Sequence, residues 1–227
     1  MTAEARSLTN QVIAHSQFLH LAEGVLVQLS GMGSNRARLA AGKLLENGAK
    51  ALASWGSAGG LIPGVLPGTL ILPQEVLAAN GSVYSADGEW YERLCKRLTA
   101  HVNFRRGSLA ESPAILTSSS GKTALFKRTG AVAVDMESAA VAAVAHHGGV
   151  PFVAIRAVAD PADTIIPKSI LSAIDEFGQL RPFRLLRGLL RHPMDLLTVV
   201  RLGHDFRVAQ VSLASVVDLT GKNLLVP

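Results

Sequence analysis

The organisation of this chain is decided by Gly130-Ala-Val-Ala-Val-Asp-Met-Glu-Ser-Ala-Ala-Val-Ala-Ala-Val-Ala-His-His-Gly-Gly-Val-Pro-Phe-Val-Ala-Ile-Arg-Ala-Val-Ala-Asp160. Residues 131–134 are a short apolar run, and residues 138–145 are dense in helix-forming alanine. Gly148 and Gly149 stop that helix, and Pro151 opens a second apolar run over 152–158. The stretch reads as strand, helix, strand, with a carboxylate where each strand ends. Parallel strands joined by a helix deliver their C-terminal ends to one edge of a sheet, where open α/β sheets bind ligands. Glu137 and Asp160 are therefore predicted to share that edge and to converge on one substrate.

Outward from this unit the same alternation continues. Residues 4–11 have helical character, 18–21 and 25–29 pair as a hairpin around Glu23-Gly24, and Gly31-Met32-Gly33 turns the chain into a helix over 35–46. Residues 51–55 read as a buried strand closed by the turn Gly56-Ser57-Ala58-Gly59-Gly60. Residues 70–72 and 114–117 are further short strands, 89–102 have helical spacing, and Ser118-Ser119-Ser120-Gly121 is a polar turn. Strands alternating with helices predict an α/β fold, a central mixed sheet flanked by helices in three layers. From residue 170 the pattern is helical, and residues 170–227 are expected to extend a single domain covering 1–227. Arg181, Arg184, Arg187 and Arg191 fall on about one-third of a helix's circumference, with leucines largely opposite. Such a helix either lies on a membrane surface or packs with a solvated charged face.

Composition narrows the classes. A hydrophobic fraction of 48% supports a sizeable core, built from Ala, Val and Leu because aromatics are only 5%. No apolar run reaches the roughly 20 residues of a membrane span, and no basic-then-apolar start marks a secretory signal. The single cysteine, Cys95, excludes an internal disulfide, so the reading is cytoplasmic. The net charge of +5 is concentrated in the C-terminal quarter, without the interleaved aromatics that stack nucleic-acid bases. Ser120-Gly121-Lys122-Thr123 resembles the end of a P-loop, but Leu116 stands where its first glycine belongs. Arg36 occupies the third glycine position of a dinucleotide motif. No zinc-ligand spacing is present, so no metal is expected.

The motif set as a whole resembles a family. Val134-Asp-Met-Glu-Ser-Ala-Ala140 followed by Arg156-Ala-Val-Ala-Asp160 is similar to the signature of the purine nucleoside phosphorylase and methylthioadenosine/S-adenosylhomocysteine nucleosidase superfamily. Gly56-Ser-Ala-Gly-Gly-Leu61 resembles its glycine-rich turn, and Ser30-Gly-Met-Gly33 the loop before its second helix. The resemblance implies cleavage of a purine N-glycosidic bond. That reaction builds positive charge on the sugar and negative charge on the purine. Asp160 then takes the role of general acid at the purine, which requires a raised pKa. Glu137 accepts hydrogen bonds from ribose hydroxyls and stabilises the ribosyl cation. Glu4 aligns with the glutamate that positions the attacking water. Met136 packs on the ribose, and Ser57, Gly33, Phe152 and Ser119 are the further candidate substrate contacts. Arg6 and Arg36 are the candidate phosphate ligands. No cofactor is implied, and phosphate is a co-substrate only if it replaces water.

The tail Arg181-Pro-Phe-Arg-Leu-Leu-Arg-Gly-Leu-Leu-Arg-His-Pro193 is similar to the hopanoid-associated branch, held to release adenine from adenosylhopane, a lipid-linked nucleoside. Partners implied are a lipid-linked adenine nucleoside, further copies of the chain and, through the basic helices, the inner face of a membrane. The alternatives are a methylthioadenosine/S-adenosylhomocysteine nucleosidase, a soluble purine nucleoside phosphorylase, and a non-catalytic nucleoside-binding protein. Two features depart from the family pattern. Relatives carry a buried strand before the glutamate loop, whereas Met1 here precedes Glu4 by three residues. Ser54 stands where phosphate-using relatives carry an arginine, which favours water unless Arg6, Arg36 or Arg38 substitutes, so water and phosphate both stay open as acceptor.

Overall fold

The computed structural model describes residues 2–9, 18–22, 24–175 and 177–226. In chain order its elements are α1 (Thr2–Ala5), β1 (Phe18–Ala22), β2 (Val25–Gln28), α2 (Ser34–Glu46), β3 (Leu52–Gly60), β4 (Leu70–Leu77), β5 (Val83–Ser85) and α3 (Gly88–Leu98). There follow β6 (Phe104–Glu111), α4 (Ser119–Thr129), β7 (Ala133–Asp135), α5 (Ser138–Gly148), β8 (Phe152–Asp160), α6 (Lys168–Ala173), α7 (Pro182–Arg191), a 3-10 turn (Pro193–Asp195) and α8 (Leu196–Thr220).

The main sheet has the order β5-β4-β6-β7-β3-β8, and β4 also meets β8. Parallel pairs join β4 to β6, β6 to β7 and β3 to β8. Antiparallel pairs join β7 to β3 and β8 to β4. Strands β4, β6, β7, β3 and β8 thus close into a ring, which leaves few unpaired backbone groups at its edges. The mixed sheet flanked by helices is the fold class expected from the alternating pattern.

Side chains of β8 alternate between two faces. Phe152, Ala154 and Val158 pack with Ala41 of α2 and Ala139, Ala142 and Ala145 of α5. Val153, Ile155 and Ala157 pack with Trp90, Leu94 and Leu98 of α3 and Ala209, Leu213 and Val216 of α8. The alanines of α5 let it lie close to β3 and to α2. Its end is set by Gly149, left-handed at φ 62°. Helix α3 begins where the Asp87 side chain accepts a hydrogen bond from Trp90 N at 2.8 Å.

Several expectations are corrected. The strand predicted over 51–55 runs on to Gly60, so the glycine-rich segment is a strand rather than a turn. Its glycines are needed for close approach: a Cβ at Gly56 would stand 2.4 Å from Arg156 Nη1. Residues 114–117 form no strand, and the strand lies earlier, at Phe104–Glu111. Ser118 caps a helix by accepting from Gly121 N at 3.1 Å, so residues 119–121 are helical rather than a turn. The strand at 70–72 extends to Leu77. Strands β7 and β8, expected to be parallel, run in opposite directions, because β3 lies between them antiparallel to β7 and parallel to β8. The helix expected over 4–11 is a single turn ending at Ala5, and residues 10 and 11 and the Glu23 tip of the β1–β2 hairpin lie outside the described residues. Both arms of that hairpin pair antiparallel as expected.

Candidate active site

Strands β7 and β8 both pair with the end of β3. Gly59 and Gly60 pair with Val134 and Ala133 of β7, and Gly59 also pairs with Asp160 of β8. A Cβ at Gly59 would lie 3.1 Å from Asp160 Oδ2 and 3.3 Å from Val134 Cγ1. Glycine at this crossing therefore lets both strand ends close on one cavity, of about 990 Å3. Glu4, Ser57, Met136, Glu137, Asp160, Arg156 and Lys122 all line it.

Glu137 is the residue before the first turn of α5. Its Oε1 accepts from Gly33 N at 2.8 Å, and its Oε2 from Met136 N at 3.3 Å. Burial first, and then the nearby Asp135 charge, push its pKa up to about 7, against the pull of Arg156 and the Gly33 N–H. The N–H at the start of α2 is thus committed to Glu137. Glu4 is buried, and its Oε1 accepts from Ser57 N at 2.8 Å and from Ser57 Oγ at 2.7 Å. Helix α1 is anchored behind it, as Trp55 Nε1 donates to Ser7 Oγ at 2.9 Å and Ser7 Oγ donates to Glu4 O at 2.5 Å.

Asp160 ends β8 with its side chain 19% exposed, and Lys122 of α4 is 1% exposed with Nζ 2.6 Å from Asp160 Oδ2. Burial is the largest influence on Asp160 and raises its pKa. Lys122 pulls it back, and Asp205 adds to the rise. Behind Glu137 lies a buried network. Arg156 Nη2 is 2.7 Å from Asp135 Oδ2 and donates to Ser54 Oγ at 2.6 Å and to Ser138 Oγ at 2.9 Å. Ser138 Oγ donates to Asp135 Oδ2 at 2.5 Å. An ion pair this deep is tolerable only because its remaining donors and acceptors are filled.

The cavity thus unites Glu4, Ser57, Met136, Glu137 and Asp160 among the residues singled out from the sequence. Four others lie elsewhere. Phe152 starts β8 and is buried in the core, at the opposite end of the strand from Asp160. Ser119 lies in the first turn of α4 and lines no part of the cavity, whose wall there is Ala114, Ile115 and Leu116. Arg6 is exposed and lines no part of the cavity. Arg36 lies 4.6 Å over the Phe177 ring instead of entering it. Gly33 reaches the site through Glu137 rather than through the cavity wall. Arg156, Asp135, Ser138 and Lys122 are further residues of the site to which the sequence pattern alone assigns no role. The first three lie within the quoted signature, and Lys122 lies in the P-loop-like Ser120-Gly121-Lys122-Thr123. Among the described residues no group of three or more His, Cys, Asp or Glu side chains could hold a metal ion.

This arrangement can do acid chemistry beside a carboxylate-lined pocket, and the comparisons agree with it. Residues 15–181 match the Phosphorylase superfamily, and the chain belongs to that superfamily. One relative is 33% identical over 174 residues, 68% of this chain and 76% of its own: a 5'-methylthioadenosine/S-adenosylhomocysteine nucleosidase from Baumannia cicadellinicola subsp. Homalodisca coagulata. The fold matches that of the Neisseria meningitidis 5'-methylthioadenosine/S-adenosylhomocysteine nucleosidase in complex with methylthio-immucillin-A. There the TM-score is 0.72 at 22% identity, covering 98% of this chain and 96% of that one. It also matches the futalosine hydrolase of Helicobacter pylori, with a TM-score of 0.62 at 19% identity, covering 85% of this chain and 78% of that one.

Proposed function

We propose that the protein is an enzyme that cleaves the N-glycosidic bond of an adenine nucleoside, with water as acceptor. The observation that carries this reading is the convergence of Glu4, Glu137 and Asp160 on one cavity. Asp160 gives a proton to the purine ring nitrogen as the bond's electron pair moves into the base. Glu137 as carboxylate stabilises the positive ribosyl group, and Glu4 orients the water that attacks it. Water is favoured over phosphate because both Ser57 donors already serve the Glu4 carboxylate, where a phosphate would meet a like charge. Ser54, in place of an arginine, is committed to Arg156.

The proposed substrate is a nucleoside carrying a large apolar group, of the adenosylhopane type. The cavity is at the upper end of small-molecule pockets and continues along apolar side chains that include Ile170, Ile174, Leu180, Leu185 and Val199. A membrane face accompanies this substrate. Helix α7 has no buried residue. Phe183, Leu190, Met194 and Leu197 are 87%, 77%, 89% and 82% exposed, beside the exposed Arg184, Arg187 and Arg191. An apolar ridge edged by cations fits an anionic bilayer, and the inward Leu185 of the same helix lines the cavity. The helices after residue 170 are taken as part of the same domain. The 33%-identical relative favours a second reading, a soluble methylthioadenosine-type substrate. Adenine release from adenosylhopane and from methylthioadenosine, measured side by side, separates the two. Preference for the lipid supports the first, equal turnover the second, and no adenine from either contradicts both.

A further inference from the structure

Lys122 is the one buried lysine among the described residues, and the reaction outlined above gives it no task. It lies in the first turn of α4, where the helix dipole disfavours a cation, and burial without partners would add a further cost. The compensation is specific. Nζ donates to Asp160 Oδ2 at 2.6 Å, to Pro161 O at 2.6 Å and to Asp160 O at 3.4 Å. All three ammonium protons are thus directed at Asp160 and the peptide that follows it. Oδ1, the other carboxyl oxygen, accepts no hydrogen bond from a described residue, and Asp160 lines the cavity.

We propose that Lys122 is the positioning residue of the general acid: its ammonium fixes Oδ2, leaves Oδ1 to face the purine, and stabilises the carboxylate that forms when Oδ1 gives up its proton. The step balances without a second proton. The Oδ1–H bond breaks, an N–H bond forms on the purine ring, and the glycosidic electron pair passes into the base. Lys122 keeps its charge throughout. Burial holds the proton on Asp160, and burial alone would make it too weak an acid. The ammonium restores acid strength. The charged groups acting on Asp160 are Lys122 from α4 and, opposing it, Asp205 from α8, which itself lies 3.8 Å from Arg201 Nε and 3.3 Å from His204 Nδ1.

This inference rests on Asp160 acting as the acid, and the test separates the two. The pH profile of kcat/KM is measured for the unmutated protein, Lys122→Met, Lys122→Arg and Asp160→Asn, with an adenine nucleoside and with a 4-nitrophenyl riboside, whose leaving group needs no proton. Lys122→Met is expected to lower adenine release about 10- to 100-fold and to move the alkaline limb up by about one pH unit or more, while 4-nitrophenyl riboside cleavage changes by less than about threefold. Lys122→Arg is expected to keep the limb in place. An unmoved limb, or equal loss on both substrates, overturns the role of Lys122. Full adenine release by Asp160→Asn overturns the acid assignment and this inference with it. Should Lys122→Met not fold, 15N NMR of the unmutated protein decides: an ammonium that stays charged while Asp160 titrates is expected, and a neutral amine there contradicts the proposal.

Discussion

The backbone N–H of Gly33 donates to Glu137 Oε1 at 2.8 Å, tying the loop before α2 to the start of α5. Gly33 has φ 93°, a left-handed conformation that glycine adopts without strain. The carboxylate that is to face the ribose is thereby held by main chain rather than by a mobile side chain.

That carboxyl carries a pKa raised to about 7, mainly by burial. A carboxyl raised on folding contributes stability that is complete below its ordinary value and is lost as pH rises through the folded value. Glu137→Gln, which cannot ionise, is therefore expected to gain about 2–3 kcal/mol over the unmutated protein at pH 8 relative to pH 5. Urea unfolding at the two pH values checks this, and an equal difference at both contradicts it.

The same titration shapes the rate. Glu137 must be ionised and Asp160 protonated, so kcat/KM is expected to be bell-shaped, with its acid limb near pH 7. A profile flat from pH 5 to 8 would contradict the assignment of Glu137.

Gly56 is expected to tolerate no side chain. A Cβ there would lie 2.4 Å from Arg156 Nη1 and 2.9 Å from Glu4 Oε1. Gly56→Ala should cost about 1–3 kcal/mol of stability through overpacking, together with most of the activity. Thermal unfolding and an adenine-release assay on the same preparation measure both.

The exposed ridge of α7 and the 3-10 turn after it is expected to bind anionic vesicles and to release them in high salt, since exposed charges are screened over about 8 Å at physiological ionic strength. Phe183→Ser/Leu190→Ser/Met194→Ser should abolish binding without slowing turnover of a soluble nucleoside. Equal sedimentation with neutral and anionic vesicles, or self-association lost in this variant, would assign the ridge another partner.

Much of this was legible in the residues, though not always for the right reason. The sequence pattern brings Glu137 and Asp160 together by making their strands parallel and joined by a helix. They line one cavity because the end of β3 pairs with both strands, Gly59 and Gly60 with β7 and Gly59 with Asp160, a tertiary contact that no local pattern encodes. Strand β6 was hidden because Arg105 and Arg106 are exposed at its start while Leu109 and Ala110 are both buried, which breaks the alternation that marks a strand. The glycines of β3 read as a turn because glycine signals turns more often than close packing. Lys122 falls in a stretch that fails the P-loop pattern, and nothing in the sequence indicates that its ammonium reaches Asp160, 38 positions along the chain.

The most direct measurement is adenine release in phosphate-free buffer made with 18O-labelled water, for the unmutated protein and for Glu4→Gln, Glu137→Gln and Asp160→Asn. Free adenine is expected together with a sugar labelled at its anomeric oxygen, with each variant slower by about 100-fold or more. Release that requires phosphate, or that survives loss of all three carboxylates, would contradict the account.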